Sequence, residues 1–143
     1  MIREILFRGK RLEDGVWVEG YYAKATDMLE DEEVHIIFNP ELALFPRSEF
    51  GTFDEIDPDT LGQYTGMKDK NGMKIFEGDI VVLNKDVKQI FNVEDGEVRY
   101  GWGGFYIKDF STLNSLNTLA SYDCVLRGEV IGNIHDNPEL LEV

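Results

Sequence analysis

The chain has 143 residues, of which 43% are hydrophobic, and its 28 acidic against 14 basic side chains give a formal charge of −14 at pH 7. That size fits one ordinary globular domain with its own core, nine Phe, six Tyr and two Trp exceed what a disordered acidic tail carries, and the negative balance opposes contact with a phosphate backbone. Cys124 is the only cysteine, which excludes an intrachain disulfide and a cysteine metal cluster, and no apolar run approaches the ~18 residues of a membrane span.

At the N-terminus Ile5-Leu6-Phe7 is cut short by Arg8, so no signal-peptide core forms. With the lone cysteine, this points to the cytoplasm. Residues 1–11 carry four basic side chains against Glu4, a net of +3, which leaves −17 on residues 12–143. Two β-prone runs flank Glu13-Asp14-Gly15, where the glycine supplies the positive φ of a hairpin turn. Lys24–Glu33 is polar and ends in four consecutive carboxylates, which reads as a loop or a solvated helix end. Val34–Phe38 is a short strand stopped by Asn39-Pro40. Residues 39–55 resist assignment, because Pro40 and Pro46 interrupt Leu42, Leu44, Phe45 and Phe50.

Asp57-Pro58-Asp59 is a turn signal, Thr60–Thr65 a strand and Asp69-Lys70-Asn71-Gly72 a further turn. Met73–Phe76 is extended, Glu77-Gly78-Asp79 a reversal or bulge, and Ile80–Leu83 is apolar throughout, as in a strand buried on both faces. Val93–Tyr100 and Phe105–Lys108 form a hairpin around Gly101-Trp102-Gly103-Gly104. Leu113, Leu116 and Leu119 have helical spacing within Thr112–Ala120, although the surrounding Asn, Ser and Thr favour caps and turns. Glu129–Ile134 is a strand, and Asn137-Pro138-Glu139 opens a final short helix. About eight strands and one or two short helices, with turn signals at the intervals of barrels and sandwiches, imply a mainly β, or β-rich α+β, chain. No fixed-period repeat or low-complexity linker divides it, so residues 1–143 read as one domain.

Several of these blocks belong together. Arg3-Glu4-Ile5, Phe7-Arg8-Gly9-Lys10, Trp17-Val18-Glu19-Gly20-Tyr21, the run from Gly62 to Gly72, Ile75-Phe76-Glu77-Gly78-Asp79-Ile80-Val81, Val130-Ile131-Gly132-Asn133-Ile134 and Asn137-Pro138-Glu139-Leu140-Leu141 resemble, in order and spacing, the YopX family of phage and prophage proteins. The resemblance implies a β-rich phage-type protein of unassigned biochemical role, built of small barrel-like antiparallel sheets with subregions at about 1–60 and 61–143, and acting in a bacterial host. It carries over no catalytic residue.

Candidate sites therefore come from the residues alone. Gln63, Tyr64, Thr65, Lys68 and Lys70 place enough donors together to hold an anion or a partner, against the commoner reading of a solvated turn. Tyr100, Trp102, Phe105 and Tyr106, interleaved with Arg99 and Lys108, imitate a base-stacking platform, which core packing explains equally. His135 beside Asp136 is the better general base of the two histidines, yet it stands in no catalytic motif. Glu77 and Asp79 lack converging oxygens from other segments, Asp69–Gly72 fails the calcium-loop spacing, and Cys124 sits among acids that disfavour its thiolate. No catalytic set, metal site or cofactor motif emerges. The leading expectation is a non-enzymatic accessory protein that binds a host or phage protein. A nucleic-acid-binding barrel, disfavoured by the charge, and a carboxylate- or metal-dependent small-molecule enzyme are the alternatives, and the Leu42–Phe45 cluster leaves self-association open.

Overall fold

The computed structural model describes residues 4–39, 53–82, 96–101, 104–109, 116–118 and 128–141. Among them are ten strands and one short 3-10 helix, Pro138–Leu141, so the chain is mainly β. It divides into two compact units, Met1–Gln63 and Tyr64–Val143.

The first unit holds β1 (Phe7–Arg11), β2 (Trp17–Asp27), β3 (Glu32–Phe38) and the first part of β4 (Phe53–Lys68). Each pairs antiparallel with the next, and β4 returns to β1, which closes a small barrel. Closure removes the exposed edges of an open sheet. Leu6, Ile36, Ile37 and Ile56, at most 7% exposed, are its buried apolar residues. A four-stranded barrel is narrow, and glycine supplies the room: a Cβ on Gly20 would overlap the Phe38 carbonyl oxygen. The expected first hairpin is present, with Gly15 at φ 72°.

Asp57-Pro58-Asp59 does not reverse the chain. It lies inside β4, where Arg8 aligns with Gly62 but Lys10 with Asp57, so four residues of β4, Pro58 to Leu61, stand against Gly9 alone. The turn chemistry is spent on this bulge: Asp57 Oδ1 accepts the Asp59 N–H at 3.0 Å. The buried Thr60 hydroxyl accepts the Lys10 N–H at 2.8 Å and donates to the Asp57 carbonyl at 2.7 Å. One side chain thus replaces ladder bonds that the bulge interrupts, and Pro58 adds no donor there.

In the second unit the end of β4 forms a hairpin with β5 (Lys74–Phe76). Then β6 (Asp79–Val82), β7 (Gly96–Gly101), β8 (Gly104–Asp109), β9 (Leu116–Thr118) and β10 (Glu129–Asn133) make an antiparallel sheet ordered β10-β6-β7-β8-β9. Ile75, Val81, Val98 and Ile107, none above 2% exposed, form its core, with Met67, Phe105 and Val130 packed against them. Burying each such branched side chain stabilises the fold by about 2 kcal/mol. The uninterrupted apolar run at Ile80 and Val81 is buried as its sequence implies.

Two further expectations need correction. Of Lys24–Glu33, expected as a loop or a solvated helix end, only residues 28–31 form a turn, because β2 continues to Asp27 and β3 begins at Glu32. The helix expected over Thr112–Ala120 is contradicted at Leu116–Thr118, which is a strand paired with β8; the rest of that segment lies outside the described residues. Asn and Thr compete with helical backbone bonds, and a neighbouring strand offers the backbone a full set of partners instead. The expected short final helix is present as a single 3-10 turn in which the Leu140 N–H reaches the Asn137 carbonyl, while the Asn137 side chain turns back to accept the Asn133 N–H at 3.2 Å. Leu42–Phe45 also lie outside the described residues, and no described helix is long and apolar enough to cross a membrane.

Candidate interaction surface

The residues singled out around Gly62–Gly72 are largely occupied by the structure. Gln63 ends the first unit, half-buried and aligned with Phe7. In the second unit Tyr64 is 5% exposed, with its ring 5.5 Å from that of Phe76 and the Lys74 ammonium 5.9 Å from its centroid. Thr65 serves a second bulge: its hydroxyl donates to the Ile75 carbonyl at 2.8 Å and accepts the Met67 N–H at 3.2 Å. Lys68 is exposed at the strand end, and Lys70 lies 3.4 Å from Glu129.

The residue that organises this turn is Asp69, which the sequence marks as a turn former and as the start of a failed match to a calcium loop. It is 5% exposed, and its carboxylate accepts N–H groups from Asn71 at 2.8 Å, Met73 at 2.9 Å and Val130 at 3.0 Å. Burial pushes its pKa up, but the three backbone donors and the Lys70 charge outweigh it, and the group titrates below the ordinary carboxylate value. The Val130 bond also covers the free edge of β10, since the Lys70 N–H meets the Gly128 carbonyl beside it.

The aromatic platform is split between two faces. Tyr100 aligns with Phe105 and Arg99 with Tyr106 in the β7–β8 hairpin, and successive strand residues point to opposite sides. Tyr100, 57% exposed, meets Phe105 edge-on at 5.2 Å between centroids. Arg99 is held by Glu97 at 2.7 Å, and that bond, with a further contribution from Tyr106, raises the guanidinium pKa against the opposing effect of burial. Trp102 lies outside the described residues, as does Cys124.

Of the basic N-terminal segment, Arg3 lies outside the described residues, and Arg8, Lys10 and Arg11 are engaged within the first unit. The Arg8 guanidinium and the Lys10 ammonium lie 4.7 and 5.4 Å from the Trp17 ring centroid. Arg11 pairs with Asp14 at 2.8 Å and more loosely with Asp54 at 3.5 Å. The Arg11 hydrogen bond is the largest cause that lowers the Asp14 pKa, and the Asp14 bond correspondingly raises that of Arg11. His135 is half-buried, with its N–H on Asn133 Oδ1 at 3.0 Å. Asp79 is 1% exposed and accepts the Phe76 N–H at 2.8 Å. Among the described residues no group of three or more His, Cys, Asp or Glu is arranged to hold a metal.

A different feature stands open. β1 pairs with β2 only over Trp17–Gly20, and β4 with β3 only over Ile36–Phe38. From Lys24 opposite His35 to Asp27 opposite Glu32 the β2–β3 hairpin therefore continues as a two-stranded ribbon with no further described strand beside it. Its base is fixed by the Tyr22 hydroxyl, 2.6 Å from His35 Nδ1, with the two rings stacked at 5.9 Å. Its end carries Met28 and Leu29, which are 93% and 96% exposed. Asp27 Oδ1 accepts the Leu29 N–H at 2.9 Å, and Asp31 closes the loop at φ 54°, a conformation that aspartate tolerates. Two adjacent apolar side chains this exposed at a strand-built tip would add roughly 3–6 kcal/mol of favourable burial if a partner covered them. The missed signal was Met28-Leu29 itself, standing alone in a polar stretch between two segments of even period.

Comparison with curated proteins returns no match. Among solved structures the chain is similar to the crystal structure of protein EF1440 from Enterococcus faecalis, with 27% identity over 97% of this chain and 99% of that one and a TM-score of 0.52. The family described as YopX protein matches residues 6–142, nearly the whole length, and the chain belongs to the YopX family.

Proposed function

We propose that this YopX-family protein is a non-enzymatic accessory factor of phage type that binds a macromolecular partner through the β2–β3 ribbon. The observation that carries the reading is the exposure of Met28 and Leu29 at the end of a ribbon that extends past the barrel closure. The occupied state of the other candidates supports it: the Asp69 carboxylate and the Thr65 hydroxyl serve backbone groups, and Arg11 and Arg99 serve carboxylates. A nucleic-acid partner is opposed by the charge of −14 and by the division of the β7–β8 aromatics between two faces.

The test is affinity capture from bacterial lysate with the wild-type protein and with a Met28→Ser/Leu29→Ser double variant. A defined protein retained by the first and lost by the second supports the reading. Equal retention overturns it, as does a substrate-specific turnover that disappears in His135→Ala.

A further inference from the structure

We infer that the ribbon end docks into an apolar socket rimmed by lysine or arginine on a partner protein. This rests on the proposed binding role of the ribbon and adds the chemistry of its occupant. Around Met28 and Leu29 stand five carboxylates, Asp27, Glu30, Asp31, Glu32 and Glu33, and the only cation of the ribbon is Lys24. Lys24 is already 3.5 Å from Glu33, so the field at the end of the ribbon is strongly negative. The five carboxylates lie within five residues of the apolar pair. Asp27 and Glu32 face each other at the last pair of the ladder, and Glu30 and Asp31 stand in the turn with the apolar pair.

Such a surface repels three alternative occupants. A second copy of this chain brings the same acidic ribbon and another charge of −14, while nucleic acid and anionic lipid are themselves negative. A basic surface is attracted, and it can be discriminated by requiring both features together. The apolar pair supplies contact area, and the carboxylates supply steering and selection against neutral or acidic pockets. The Asp27–Leu29 hydrogen bond holds the end of the ribbon in one turn before any partner arrives, which lowers the ordering cost of docking.

Three synthetic helical peptides test this on the full chain. One has a leucine stripe flanked by lysines, the second has glutamate in place of every lysine, and the third keeps the lysines with glutamine in place of leucine. Binding is measured by biolayer interferometry. The Leu/Lys helix is expected to bind at least about tenfold more tightly than either other peptide. Met28→Ser/Leu29→Ser and, separately, Glu30→Lys/Glu32→Lys are each expected to weaken it about tenfold or more, with unchanged circular dichroism. Raising salt should weaken it as well.

Equal binding of the Lys/Gln peptide would reduce the ribbon to a charge cluster. Equal binding of the Leu/Glu peptide would remove the basic rim. Absence of binding, or affinity indifferent to both variants, overturns the inference. A concentration-dependent dimer seen by sedimentation and lost in the Met28→Ser/Leu29→Ser variant would make a second copy the occupant, and overturns it too. If lysate capture still depends on Met28 and Leu29 while the Leu/Lys helix does not bind, the binding role stands and only the basic partner falls.

Discussion

Asp69 shows how much one buried carboxylate does in this protein. It joins the β4–β5 turn to β10 through three backbone N–H groups, one of them 61 residues away in sequence. Asp69→Asn keeps the shape but presents an amide N–H to one of those donors. It should cost about 2–3 kcal/mol, read as a lower urea midpoint at unchanged m-value. The pH dependence has a definite sign. Because the folded-state pKa lies below the ordinary carboxylate value, the stabilisation is complete above that ordinary value, about 3.9, and is lost as pH falls through the folded pKa. The stability difference between wild type and Asp69→Asn should therefore be flat from about pH 7 to about pH 5 and shrink only below about pH 4. A gap that widens on acidification would refute this account. The turn itself was legible in Asp69-Lys70-Asn71-Gly72, but the burial was not, since Val130 is remote along the chain.

The bulges in β4 carry a related lesson among the elements. Asp57-Pro58-Asp59 has every local mark of a reversal, and the local chemistry forms, yet β1 on one side and β3 on the other hold the strand in the sheet. Local turn propensity is worth about a kilocalorie, and two neighbouring ladders outweigh it. Thr60 is the residue that reconciles them. Thr60→Val should leave the Lys10 N–H and the Asp57 carbonyl unsatisfied and lower the unfolding free energy by about 1–3 kcal/mol, whereas Thr60→Ser, which keeps the hydroxyl, should recover most of it. Equal loss in both variants would assign the effect to the methyl group instead. The ribbon was misread for the opposite reason. The block Glu30–Glu33 resists burial, which points to a loop or a solvated helix end, but an exposed strand needs only pairing, and β2 supplies it to Glu33 and Glu32 from Thr26 and Asp27.

For the molecule as a whole the charge of −14 is the dominant long-range term. Like charges repel more strongly in the compact state than in the extended chain, and salt screens that repulsion. Raising sodium chloride from about 10 mM to about 500 mM should therefore raise the melting temperature, because the exposed Arg11–Asp14 and Lys70–Glu129 pairs that salt weakens contribute little. A fall in melting temperature over that range would mean that ion pairs outweigh net repulsion. The same charge that opposes compactness also selects the partner proposed for the ribbon.

The sequence by itself determined the mainly β character, the hairpins at Gly15 and at Gly101–Gly104, the buried strand at Ile80–Val81 and membership of the YopX family. These rest on local turn chemistry, two-residue periodicity and blocks of fixed spacing, all of which act between near neighbours. Only the tertiary structure decided that β4 returns to β1 to close a barrel, that Asp69 is buried under Val130, and that Met28 and Leu29 are left outside. Those outcomes depend on which distant segments arrive to pair or to cover, and hydrophobicity alone does not distinguish an apolar pair that finds a core from one that is presented to a partner.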